Sequence, residues 1–183
     1  MKRFLIIIIG AILIGGLGLY FMIEGLPMEL EETAYKLSVQ RTDLSQVQNL
    51  QNLTTLNVFD HDEITRLMHD GELVWKMVQE SHYFNMSESD IEGKVEEFYK
   101  EVNPLVEGQA GKLVDMQADH RVEGDTLILS LTTDLKRVNR GFAPEDFQFG
   151  FGSVTSVLNS KGAVSLELYE KALQFADYQL ITE

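Results

Sequence analysis

The strongest hydrophobic pattern in this chain is an apolar stretch at its N-terminus. No charged side chain occurs between Phe4 and Ile23, and a helix of that length covers about 30 Å, the thickness of a bilayer core. Lys2 and Arg3 precede the stretch, and Glu24 follows it directly. The positive-inside rule therefore predicts a single-pass membrane helix with a cytoplasmic N-terminus and an extracytoplasmic C-terminal part.

Two further features of this stretch bear on its role. No small-x-small cleavage site follows it, so the pattern favours an uncleaved signal-anchor over a cleaved signal peptide. Ala11, Gly15 and Gly18 share one face of the predicted helix, and small residues at that spacing allow two membrane helices to approach closely. A homodimer packed through this face is one interpretation. The other is that glycine is simply common in membrane helices.

The pattern divides the chain into three parts. Residues 1–23 form the cytoplasmic stub and the anchor, residues 24–57 a connecting segment, and residues 58–183 an extracytoplasmic domain. Within the connecting segment, Tyr35, Leu37 and Val39 alternate with polar residues, which predicts a short strand. A further strand is predicted over Leu53 to Phe59.

Two amphipathic helices are predicted next. Asp60 and Glu63 have the spacing of a helix N-terminus, and Gly71 interrupts the predicted helix that follows. The second helix begins at Ser87 or Ser89 and ends at Pro104. The apolar positions of the first helix are Ile64, Leu67, Met68, Val74, Trp75 and Val78, and those of the second are Ile91, Val95, Phe98, Tyr99 and Val102.

An antiparallel hairpin is the clearest β pattern. From Val114 to Val122 apolar residues and His120 alternate with polar residues, and Leu127 to Leu135 repeats the alternation after a turn at Glu123 and Gly124. Such alternation predicts strands with one buried and one solvated face. Lys136 to Gly141 is expected to be a loop, residues 147–151 a strand or a close-packed aromatic edge, and residues 159–162 a turn. From Ser165 the pattern fits both a helix and a strand, and a helix is favoured for most of the segment. The predicted fold is α+β, with an antiparallel sheet of about four strands packed against amphipathic helices on one side.

Composition narrows the possible functions. The net charge of −14 argues against a nucleic acid as the main partner, because such binding needs a basic surface. The chain has no cysteine, which excludes disulfides, a zinc ribbon and a thiol nucleophile. No nucleotide-binding glycine motif and no Gly-x-Ser-x-Gly occurs, so we predict no cofactor.

Two groups of residues are candidates for ligand binding. Lys136, Arg137 and Arg140 with Phe142 form a basic cluster on an otherwise acidic chain, and cations near a membrane could hold an anionic head group or an acidic partner. The alternative is a solvated loop. If the core closes incompletely, an apolar cleft is expected, although such residues more often form core; its lining would be Met68, Trp75, Met77, Phe147, Phe149 and Phe151.

Histidine and carboxylate residues offer a weaker candidate. His61 lies among Asp60, Asp62 and Glu63, and His120 lies on the apolar face of the hairpin. His61 and His69 are two helical turns apart on the predicted helix, which is too far for one ion. We therefore predict no metal site and no catalytic residue.

These observations leave three classes of function. The first is a non-enzymatic binding or accessory protein of a cell envelope that acts with a protein partner. The small size and lack of cysteine suit a bacterial envelope. The second is a membrane-tethered binder of a lipid or another amphipathic ligand. The third is a small hydrolase or metal enzyme that uses His120 or His61 with nearby acids. No motif in the chain identifies a family.

Overall fold

The structure, a computed structural model, describes residues 29–41, 59–108, 113–143 and 156–182. Within these ranges the strands form one six-stranded sheet in the order β4-β5-β3-β2-β1-β6, and every neighbouring pair is antiparallel. The elements are β1 (Glu31–Val39), β2 (His61–His69), β3 (Val74–Tyr83), α1 (Glu88–Glu107), β4 (Asp115–Glu123), β5 (Thr126–Asp134), a π-helical turn (Val138–Phe142), α2 (Leu166–Phe175) and β6 (Gln179–Leu180).

The α+β prediction is confirmed, with six strands rather than about four. The strand predicted around Tyr35 is β1, so part of the predicted connecting segment belongs to the sheet. The predicted anchor over residues 4–23 lies outside the described residues, as do Leu53 to Val58 and the Phe147 to Phe151 segment. In the ranges that the structure describes, no helix has the length and apolar character needed to cross a membrane.

The helix predicted from Asp60 to Val78 is wrong. This segment forms the antiparallel strands β2 and β3, and Gly71 (φ +91°) lies in the turn between them. Asp70 fixes the turn because one carboxylate oxygen accepts from the amides of Glu72 and Leu73, and the other accepts from Trp75 Nε1. The prediction failed because both faces of β2 carry apolar residues, which hides the two-residue period of a strand.

Both described helices pack on the same face of the sheet. Cross-strand partners such as Leu67 and Met77 share a face, and both described helices pack on that face, which we call the covered face. Tyr169 of α2 donates to Met77 Sδ at 2.7 Å, and the Tyr99 hydroxyl of α1 lies 3.0 Å from His120 Nδ1. The opposite side, which we call the open face, carries Arg66, Glu80, Arg121 and their neighbours.

Two hydrophobic clusters lie on the covered face. The α2 cluster joins α2 to the centre of the sheet, and the smaller α1 cluster joins α1 to β5. The buried residues of the α2 cluster are Tyr35, Leu67, Val74, Met77, Val114, Leu135, Val138, Val157, Val164, Leu166, Tyr169, Ala172 and Leu173. Those of the α1 cluster are Met86, Leu127 and Leu129, with Phe59, Tyr83, Ile91, Val95 and Phe98 packed against them.

α1 begins after Ser87, one of the two predicted starts, and α2 lies in the segment for which a helix was favoured over a strand. Ser87 caps α1 by accepting from the Asp90 amide, and Ser165 caps α2 by accepting from the Leu168 amide. The predicted end of α1 at Pro104 is wrong, because the helix continues to Glu107. Proline removes one amide donor, but the surrounding turns keep the helix intact for three more residues.

The C-terminus of α2 directs the chain back to the sheet. The Tyr178 amide donates to the Leu173 carbonyl, and the Asp177 amide donates to the Gln174 carbonyl. This is the Schellman arrangement, with Asp177 (φ +64°) at the left-handed position that glycine usually occupies. The reversal places β6 beside β1, where Leu180 pairs with Tyr35 and Gln179 with Lys36.

The basic segment after β5 was predicted to be a loop, and the structure gives it a helical turn instead. Val138 to Phe142 forms a π-helical turn with a kink at Gly141, where φ is +77° and the backbone departs from helical geometry. The side chain of Asn139 holds this turn in place, because its Nδ2 donates to the Val74 carbonyl and its Oδ1 accepts from the Val164 amide, both at 2.8 Å. A single amide side chain therefore ties the turn to β3 and to the segment before α2.

Candidate functional site

The predicted basic cluster lies in and directly before the π-helical turn. Lys136 Nζ is 3.4 Å from Asp134 Oδ2, so a neighbouring carboxylate offsets part of its charge. Arg137 and Arg140 also have partners. Phe142 is 56% exposed at the end of the turn. The cluster is thus anchored through Asn139 and already engaged in internal contacts, which makes it a weaker ligand site than its sequence indicated.

Of the residues proposed for an apolar cleft, the structure describes Met68, Trp75 and Met77, and it does not place Met68 and Met77 on one face of the sheet. Met77 is buried under Tyr169 on the covered face, whereas Met68 pairs with Lys76 on the open face. Trp75 is the extra residue of a β-bulge and donates to Asp70. Met68 and Met77 therefore do not line one cleft, and Phe147, Phe149 and Phe151 lie outside the described residues.

The histidines take separate structural positions. His61 stacks on Tyr83 with ring centroids 4.7 Å apart and lies 3.5 Å from Glu63. His120 is exposed beside Tyr99, whereas His69 is buried between Thr33 Oγ1 and the Gly71 amide. In the described part of the chain, no three His, Cys, Asp or Glu side chains are grouped to hold a metal ion.

A charged network that the sequence analysis missed lies on the open face around Glu80. Although Glu80 is only 9% exposed, three basic side chains from neighbouring positions approach its carboxylate. Arg121 Nη1 is 3.1 Å away, His82 Nε2 3.2 Å and Arg66 Nε 3.8 Å. Arg66 and Arg121 also pair with Glu32 and Glu123. We call this group the Glu80 network.

The Glu80 network keeps its central carboxylate charged. Burial by itself would raise the pKa of Glu80, but hydrogen bonds from His82 and Arg121 outweigh that effect and hold the pKa below its ordinary value. Beside it, burial also works against ionisation of Asp62, and bonds from Lys36 and Ser38 again lower the pKa. The charged side chains of the network pair with one another, so we interpret its role as structural: it fixes the positions of these side chains on the open face.

A second feature is the edge of the sheet formed by β1 and β6. Three large apolar side chains are exposed within seven consecutive residues: Phe175 is 77% exposed, Leu180 53% and Ile181 40%. We call these residues, together with Leu37 to Val39 of the adjacent strand, the C-terminal corner. Monomer surfaces seldom group apolar side chains without a use for them.

Two open depressions meet at this corner. One, of about 530 Å³, is lined by Leu37, Ser38, Leu180 and their neighbours, including Lys36, Asp177, Gln179 and Ile181. The other, of about 540 Å³, continues from Ser38 along the end of β1 and is lined by Val39, Gln40, Arg41, Asp60, His61, Asp62 and Phe84. Ser38 lines both depressions, which adjoin at the end of β1, and we call the pair the groove.

Sequence reasoning missed both the corner and the network for the same reason. Each assembles residues from distant parts of the chain: the corner joins β1 to the segment after α2, and the network joins side chains of β1, β2, β3 and β4. One indication in the sequence was the apolar pair Leu180 and Ile181 after α2, which the structure leaves exposed.

Comparisons of this chain with protein-family models, with curated proteins and with solved structures find no match.

Proposed function

We propose that this chain is a membrane-anchored, non-enzymatic accessory protein of the cell envelope that binds a protein partner through its C-terminal corner. Residues 4–23 anchor it with the N-terminus in the cytoplasm, and the sheet domain lies outside the membrane. The observation that carries the proposal is the exposure of Leu180 and Ile181, which line a groove at one sheet edge, with exposed Phe175 at the nearby end of α2. The fully buried core of a protein interface is more apolar than the surrounding surface, and aromatic side chains are enriched there.

The opposite edge of the sheet supports this choice of surface. β4 carries Asp115, Asp119, Arg121 and Glu123 within nine residues, and charged side chains protect an edge strand from pairing with other chains. The four residues from Leu37 to Gln40 carry no charge. The edge formed by β1 and β6 is therefore better suited than the β4 edge to bind a partner.

Site-specific photo-crosslinking tests the proposed binding surface. The full chain is produced in its host with p-benzoylphenylalanine in place of Leu180 or, as the matched control, of Val122. Both are large exposed apolar residues, but Val122 lies on the β4 edge. We expect a discrete crosslinked product from the Leu180 position alone. Equal products from both positions, or none from Leu180, would contradict the proposal.

The absence of cysteine allows a clean test of topology. A single cysteine replaces exposed Lys161 in the sheet domain or Lys2 before the anchor. A membrane-impermeant maleimide should label the Lys161→Cys chain in intact cells and the Lys2→Cys chain only after lysis. Labelling of the Lys2→Cys chain alone before lysis would place the sheet domain in the cytoplasm and overturn the proposed location.

A further inference from the structure

We propose that the partner binds at the C-terminal corner as an extended peptide segment that adds a strand beside Ser38 at the outer edge of β1. This inference rests on the proposed function and specifies its mode of recognition. In strand addition, main-chain hydrogen bonds supply affinity, and alternate side chains enter neighbouring depressions and supply specificity.

The backbone of β1 directs hydrogen-bonding groups outward at Ser38. The Ile181 amide donates to the Ala34 carbonyl at 2.9 Å, so Ala34 turns its backbone groups away from β2. Alternate residues of an antiparallel strand direct both their amide and their carbonyl to the same side. Ser38, four residues after Ala34, therefore presents both groups at the same edge.

The strand that pairs with this edge is too short to cover Ser38. Among the described residues, β6 pairs with Tyr35 and Lys36, and the chain leaves the edge at Asp177, where φ is +64°. Asp177 and Ser38 both line the first depression. A left-handed residue thus ends the native pairing just before Ser38, and the groove provides space for another strand.

The composition of the groove indicates the chemistry of the peptide. Exposed Leu180 and Ile181 flank it and favour apolar side chains at alternate positions. Three carboxylates line the two depressions, from Asp60, Asp62 and Asp177, against the cations of Lys36 and Arg41 and the imidazole of His61. Because Lys36 already pairs with Asp62 at 2.7 Å, a basic residue in the peptide would be favoured.

A proline substitution tests this mode directly. Ser38→Pro removes the outward amide without removing a bond to β2, and proline is tolerated at such edge positions. Ser38→Ala is the matched control, because both variants lose the hydroxyl bond to Asp62 but only Ser38→Pro loses the amide. Tryptophan fluorescence of Trp75 during urea unfolding shows whether each variant is folded.

The probe is a displayed library of random twelve-residue peptides, selected on the detergent-solubilised full chain and depleted on the Ser38→Pro chain. We expect selected peptides to have alternating apolar residues and at least one Lys or Arg. Fluorescence anisotropy should give similar affinity for the wild-type and Ser38→Ala chains and at least tenfold weaker binding to Ser38→Pro. Recovery of no such peptide, or affinities within twofold for all three chains, would overturn strand addition.

Amide exchange provides a readout that does not depend on the proline variant folding. On binding of a selected peptide, the Ser38 amide of the wild-type chain should exchange at least tenfold more slowly, whereas the Leu37 amide, already directed to β2, should change little. Unchanged exchange at Ser38 would overturn the inference. Crosslinks at Leu180 that persist unchanged in the Ser38→Pro chain would refute strand addition and leave the proposed function standing.

Discussion

The two helices on the covered face show that the longer helix does not bury more side chains against the sheet. α2 has ten residues, of which Leu166, Tyr169, Ala172 and Leu173 are buried. α1 has twenty residues, and Val102 is its one buried residue. Among the described residues, thirteen buried side chains form the α2 cluster and three form the α1 cluster. Because stabilisation follows the apolar area removed from water, the shorter helix contributes more to the fold.

The positions of the helices explain this difference. α2 lies over the centre of the sheet, where Tyr169 reaches Met77 of β3 and Glu170 accepts from Tyr35 of β1. α1 lies over β4 and β5 at one edge, where less of its surface meets the sheet. Its remaining positions are largely charged and exposed, so few of its side chains hold it against the sheet.

Truncating one core residue in each helix should produce the largest contrast. Leu173→Ala removes a fully buried side chain and should lower the free energy of unfolding by about 3–4 kcal/mol. Ile91→Ala removes a half-buried side chain from α1 and should cost about 1 kcal/mol. Urea unfolding followed by the single tryptophan, Trp75, measures both values. Equal losses would show that the two clusters contribute alike.

Removal of the amide that ties the π-helical turn to the α2 cluster should have the next largest effect. Asn139→Ala leaves the Val74 carbonyl and the Val164 amide without their partner, at a cost of about 2 kcal/mol. Asn139→Asp keeps only the acceptor and should be intermediate. Asn103→Ala, at an exposed position in α1, is the control. A loss at Asn103 as large as that at Asn139 would contradict this assignment.

Replacing a capping serine by alanine should cost about 1 kcal/mol, so the two helix caps offer a matched comparison. Ser165→Ala should lower the global free energy of unfolding, because α2 is part of the main cluster. Ser87→Ala should mainly speed amide exchange within the first turns of α1, with a smaller global change. Ser89→Ala serves as control, since the Asp90 amide bonds to Ser87 instead. A larger global loss from Ser87→Ala would reverse the ranking of the helices.

Acidification should weaken the ion pairs on the open face, which lies outside both hydrophobic clusters, and so lower the free energy of unfolding. Because the pKa of Glu80 is lower in the folded chain than its ordinary 4.5, its stabilisation is present above that value and is lost as pH falls through the folded pKa. We expect a loss below about 1 kcal/mol, as for other partly exposed ion pairs. Urea midpoints at pH 7 and pH 3.5 measure it, and Glu80→Gln should reduce the difference. An unchanged difference in Glu80→Gln would assign the acid effect to other groups.

The smallest predicted change in the free energy of unfolding comes from a substitution at the C-terminus of α2. Asp177→Gly relieves the left-handed conformation and should raise the free energy of unfolding by about 0.5 kcal/mol, after the added flexibility of the unfolded chain is subtracted. Asp177→Asn should be close to neutral, and Asp177→Ala should be destabilising. Thermal unfolding ranks the three variants. Destabilisation by Asp177→Gly would show that the carboxylate has an essential contact.

Local patterns predicted part of this fold well. Ser87 and Ser165 precede helices because their hydroxyls cap the first amides, a requirement that neighbouring residues satisfy. The β4–β5 hairpin follows from period-two alternation joined by Gly124 (φ +67°). The β2–β3 pair was mistaken for a helix because Leu67 on one face and Met68 on the other satisfy a helical spacing.

The candidate site was not predictable in the same way. Tyr178 donates to Glu63, 115 residues earlier in the chain, and Tyr35 donates to Glu170. Burial and these neighbouring carboxylates raise the pKa of both tyrosines. No local pattern contains such pairs. They hold α2 and β6 against the sheet and thereby create the corner.

The sequence by itself determined the apolar N-terminal stretch, the acidic charge, the start of α1 to within two residues and the hairpin of β4 and β5. Each depends on residues within a few positions of one another, so periodicity and capping chemistry are sufficient. Only the tertiary structure decided that β1 and β6 pair, that Glu80 gathers Arg66, His82 and Arg121, and that Ser38 lies at a partly covered edge. These features depend on which distant segments share the sheet, and that choice minimises exposed apolar area and unpaired backbone groups over the whole chain.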